Sequence, residues 1–161
     1  MILGLSTSMF TLLHVIISLV GISAGLIALL GLLGGKLYRG LTALFLITTV
    51  LTSVTGFLFP FHGMTPGVIL GILSILVLVL AIVALYVGKL AGAWRGTYVI
   101  TSSLALYFNF FVLVAQAFAK IPALKSIAPT QASPVFGITQ LVVLVIFIVL
   151  TIRAFKKFQD A

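Results

Sequence analysis

Five apolar runs, each about 18 to 25 residues long, constrain this chain more than any motif in it. They extend from about Met9 to Leu33, Leu41 to Phe59, Gly67 to Val87, Tyr98 to Ala119 and Val135 to Ile152. At about 1.5 Å per residue, a helix of that length crosses a hydrocarbon core of about 30 Å. Only 6% of the residues are charged and 63% are hydrophobic, whereas soluble domains carry roughly 25% charged residues. The expected fold is all-α: an integral membrane bundle of five transmembrane helices, with residues 1–161 forming a single transmembrane domain because the connections leave no room for another. No Lys or Arg precedes the first run, and it exceeds the apolar core of a signal peptide, so it reads as a retained span.

Charge placement orients the bundle. Lys36 and Arg39 lie between the first and second runs, Lys89 and Arg95 between the third and fourth, and Arg153, Lys156 and Lys157 follow the fifth. The alternate connections hold only Lys120 and Lys125. Seven basic residues against two predict an N-out, C-in topology. Topology and anionic headgroups then account for the net charge of +8, and no nucleic-acid partner is expected. Tyr38, Tyr86, Trp94 and Tyr98 fall near the proposed inner boundary, where amphipathic rings settle, and Phe57, Phe59 and Phe61 mark the outer one.

Small residues recur at four-residue spacing: Gly21 and Gly25, Gly31 and Gly35, Gly67 and Gly71, and Gly88, Gly92 and Gly96. In lipid such residues let helix backbones approach, so they are expected to mediate packing, within the bundle or against another subunit. The one long connection, Lys120 to Pro134, contains Pro122, Pro129 and Pro134, which prevent a continuous helix. It reads as a connector between the fourth and fifth spans, with an outer lid as the alternative.

Residues able to carry chemistry are few. The single acidic residue, Asp160, is next to the C-terminal Ala161, and the chain has no Cys. Serine-triad hydrolysis, phosphoryl transfer and thiolate chemistry all lack a required group, so the chain is not expected to be an enzyme. The topology instead places His14, His62, Gln116 and Gln140 at the outer end, with Asn109 two turns below Gln116 on one helix face. These five residues form the candidate ligand-binding pocket. No metal is expected, because two histidines without Cys or carboxylate make an incomplete zinc or copper site. No cofactor is expected under the principal reading. The alternative is haem b held by His14 and His62, since helix bundles hold cofactors between facing side chains.

The segments LHVIISLVGISAGLIAL, GGKLYRG and SVTGFL resemble small multi-pass bacterial inner-membrane proteins that begin with an H-x-x-x-G-type helix followed by a basic turn. Tyr38 stands where that turn usually carries His, so the resemblance does not extend to a histidine pair between His14 and the turn. It implies a bacterial multi-pass protein and no particular activity. Two functional expectations follow. One is a non-catalytic membrane protein serving as an accessory or self-associating subunit of a membrane complex. The other is an electron-transfer or ligand module that holds haem, a quinone or a lipid in the outer pocket.

Overall fold

The computed structural model describes residues 1–60 and 63–159. Its helices are α1 (Thr7–Leu33), α2 (Arg39–Gly56), α3 (Pro66–Ile82, continued by a π-helical turn, Val83–Val87), α4 (Ala93–Lys120), α5 (Pro122–Ile127) and α6 (Pro134–Gln159). Among the described residues, five helices are long and apolar enough to cross a membrane.

Several ends differ from the sequence expectation, each for a local reason. The first helix starts at Thr7 because the Ser6 side chain accepts the Met9 amide hydrogen at 3.2 Å. The second ends at Gly56, before the turn leading to Pro60. The fourth takes in the polar AWRGT stretch, so Arg95 lies in its first turn and not in a loop. The Lys120–Pro134 connection holds the short helix α5, for Pro122 occupies a first-turn position where no intrahelical amide bond is lost. The last helix runs past Ile152 to Gln159 and carries Arg153, Lys156 and Lys157.

The spans pair antiparallel. Gly21 faces Thr48, Gly25 faces Phe45 and His14 meets Thr55, a constant register between α1 and α2. Tyr107 against Phe147 and Phe118 against Phe136 set the same relation between α4 and α6. Around the bundle α1 touches α2, α2 touches α3, α3 touches α4, α4 touches α6 and α6 returns to α1, which closes the ring. One end of the ring holds His14 and the other the basic clusters.

The α1–α2 pair packs tightly because two glycines of α1 face it. A Cβ added at Gly25 would lie 2.7 Å from the Phe45 ring and 2.8 Å from Leu106, and one at Gly21 would lie 2.9 Å from Thr48 Oγ1. Gly31 and Gly71 are covered in the same way by the Tyr38 and Phe57 rings. Gly35, with φ at +73°, turns the chain out of α1, while Gly67 is exposed at the start of α3.

In α2 the polar face points inward. Thr42, Thr48, Thr49, Thr52 and Ser53 are buried, while Leu44, Ile47, Leu51 and Val54 are exposed. Thr48 and Thr52 donate to the carbonyls of Leu44 and Thr48 at 2.6 and 2.7 Å, so each satisfies its proton within the helix. That arrangement suits a helix whose surroundings are lipid, where an exposed hydroxyl has no water to bond. Tyr98, expected at a boundary, is instead buried in the core beside Thr42 and Ser102. At the basic end Arg95 ties α4 to α6, donating to the Phe158 carbonyl at 2.8 Å with its guanidinium over the Phe158 ring.

Candidate functional site

The histidine end is organised by α1 and α2. His14 Nδ1 lies 2.7 Å from Thr55 Oγ1, and Thr55 Oγ1 donates its one proton to the Leu51 carbonyl at 2.7 Å, with the Thr52 carbonyl at 3.2 Å. With a carbonyl at that distance for its own proton, the hydroxyl oxygen is placed to accept from the imidazole. This arrangement suits the tautomer that carries its hydrogen on Nδ1, which presents a lone pair at Nε2. No hydrogen-bond partner takes up Nε2 among the described residues. The ring is half-buried and held edge-on by Phe59, which in turn meets Phe10, the centroids being 5.2 and 5.0 Å apart.

The other predicted pocket residues are placed differently. Asn109 and Gln140 are buried on α4 and α6. Gln140 Nε2 donates to the Phe111 carbonyl at 3.1 Å, while its Oε1 and Asn109 Nδ2 have no partner among the described residues. In the α4–α6 register these two open groups, an acceptor and a donor, sit about one turn apart. Gln116, two turns beyond Asn109, is exposed. His62 lies outside the described residues. Among the described residues no hydrogen bond joins His14 to Asn109, Gln116 or Gln140, so the expected single pocket resolves into a histidine–threonine pair on α1–α2 and an amide pair on α4–α6. No group of three or more His, Cys, Asp or Glu comes together among the described residues.

Two cavities lie elsewhere. A small one of about 10 Å³ is lined by Gly25, Leu29, Phe45, Tyr98, Ser102 and Ser103, and Ser103 Oγ has no partner there. That is close to the room one water needs. A larger cleft of about 270 Å³ opens between α2 and the end of α3.

Sequence reasoning also missed Tyr107. It is the middle residue of α4, half-exposed, with its ring against Phe111 and, at 5.5 Å, Phe147 of α6. Its hydroxyl has no hydrogen-bond partner among the described residues and is not enclosed by the bundle. A serine in such a place can turn back to the carbonyl four residues earlier, but the rigid ring carries a phenol away from its own backbone. The signal available in the sequence was a tyrosine in the centre of an apolar run, far from either interface where tyrosines settle. No protein-family model matches the chain, and no curated protein or solved structure matches it.

Proposed function

We propose that the chain is a non-catalytic, multi-pass protein of a bacterial cytoplasmic membrane, N-out and C-in, that works as an accessory or self-associating subunit of a membrane complex. The orientation is supported by the seven basic residues at one end of the bundle against Lys120 and Lys125 at the other. Association is supported by the Tyr107 hydroxyl, which lies at the middle of α4 on a half-buried ring and has no hydrogen-bond partner among the described residues. Hydrocarbon offers it no hydrogen bond, whereas a neighbouring helix does. The test is the mass of the complex extracted in mild detergent. A discrete species larger than the protomer, weakened roughly fivefold by Tyr107→Phe, is expected from one interhelical hydrogen bond of about 1 kcal/mol. A monodisperse monomer that copurifies with nothing contradicts the proposal.

A second reading, a module for haem b, a quinone or a lipid-like ligand, is favoured by one observation: the Thr55 hydroxyl commits His14 Nδ1 and leaves Nε2 open. An absorption spectrum of oxidised and dithionite-reduced protein tests its haem form. Reduced bands that disappear in His14→Ala support it, and a featureless spectrum removes haem.

A further inference from the structure

The 270 Å³ cleft between α2 and the end of α3 exceeds the apolar cavity of about 150 Å³ that takes up a benzene molecule. Leu46, Ile47, Val50, Ile82 and Tyr86 are among its walls, and no polar surface lines it. On α2 it runs from Ala43 to Leu51, a length of about 12 Å, close to the ~15 Å thickness of one leaflet's hydrocarbon. It opens sideways, toward what surrounds the bundle.

On the two helices that form the cleft, the charges stand beyond one end of it. Arg39, the first residue of α2, is one turn from Ala43 on the same helix face and is exposed. Across the cleft the π-helical turn closes with the Gly88 amide on the Val83 carbonyl at 2.8 Å, and the chain then passes through Lys89 and Leu90 at φ +51° and +58°. This turn places Lys89 three residues beyond Tyr86. Neither basic side chain has an ion pair or hydrogen bond among the described residues. The cleft is thus apolar along its length, and Arg39 and Lys89 do not line it but follow its Ala43 and Tyr86 walls along the two helices, a charge pattern complementary to an anionic amphiphile.

We infer that this cleft binds an anionic phospholipid of the inner leaflet, with one acyl chain between α2 and α3 and the headgroup phosphate between Arg39 and Lys89. The inference rests on the membrane topology proposed above and is independent of association through Tyr107. Arg39 and Lys89 supply the selectivity for negative charge, and Ala43, the smallest wall residue, leaves room for the chain near the mouth.

The experiment uses the full chain, delipidated in detergent and titrated with phosphatidylglycerol or phosphatidylcholine while lipid adducts are counted by native mass spectrometry. Retention of phosphatidylglycerol over phosphatidylcholine is expected, and R39Q with K89Q lowers it roughly 30-fold. A43F, checked for helix content by circular dichroism, blocks both lipids. Equal retention of the two lipids, or unchanged phosphatidylglycerol binding in R39Q/K89Q, overturns the inference. Failure of the chain to float with vesicles contradicts the membrane reading itself, and so is told apart from insertion without lipid selectivity.

Discussion

The α1–α2 pair and the α4–α6 pair solve the same packing problem in opposite ways. In α1–α2, glycines bring the backbones together, the hydroxyl face of α2 turns inward, and His14 is bonded to Thr55. In α4–α6 the contact is aromatic, through Tyr107, Phe110, Phe118, Phe136 and Phe147, and polar groups are left over at Asn109, Gln140 and Tyr107. Each pair leaves buried polar atoms open among the described residues, the Thr49 hydroxyl in the first and the Asn109 and Gln140 amides in the second, so the two differ in how they pack and in the kind of group left over.

The comparison is broken most forcefully at glycine. Gly25→Leu forces side-chain atoms into the space of Phe45 and Leu106 and is expected to destabilise the bundle by about 1–3 kcal/mol, whereas Gly137→Leu on α6, where nothing lies within 4 Å, is expected to be near neutral. Thermal unfolding in detergent reads both; equal losses would mean that α1–α2 is no tighter than α4–α6. Next in size is Asn109→Leu. It removes a buried amide with an open donor, so stability is expected to hold or rise by up to about 1 kcal/mol, while a loss above that would show the amide to be bonded after all.

Smaller still, Thr55→Val removes the His14 bond at a cost of about 0.6 kcal/mol, the usual value of an interhelical hydrogen bond in lipid. Because His14 Nδ1 then loses its partner, a nitrogen NMR measurement of the imidazole should show the Nδ1–H tautomer mixed with the other. An unchanged tautomer would detach His14 from Thr55. Ser103→Ala gives the smallest change, within about 0.5 kcal/mol, as its hydroxyl has no protein partner to lose.

Much of the architecture was legible because run length and hydropathy depend on few variables. The five apolar runs correspond one to one with the five helices that are long and apolar enough to cross a membrane. Helix ends were less legible where a cap or a proline acts locally, as at Ser6 and Pro122, or where polar residues continue a helix beyond the apolar run, as at Ala93–Thr97. The candidate site was legible only as a list of polar residues. Which of them meet depends on the register between helices, and register arises from side-chain packing that no single run displays. Thr55 was one of many threonines in α2 until its facing residue proved to be His14. Tyr98 had the composition of a belt residue, yet the polar inward faces of α2 and α4 gave its hydroxyl a place in the core.

The proposal that the chain works through lateral association is tested most directly by a photo-crosslinking amino acid placed at Tyr107 and, as a contrast, at Ile27 on the exposed face of α1, in intact membranes. A discrete protein adduct from position 107, either a second copy or one defined partner, with none from position 27, is the expected result. Lipid adducts alone at both positions would contradict the account, leaving Tyr107 as a tyrosine that lipid surrounds.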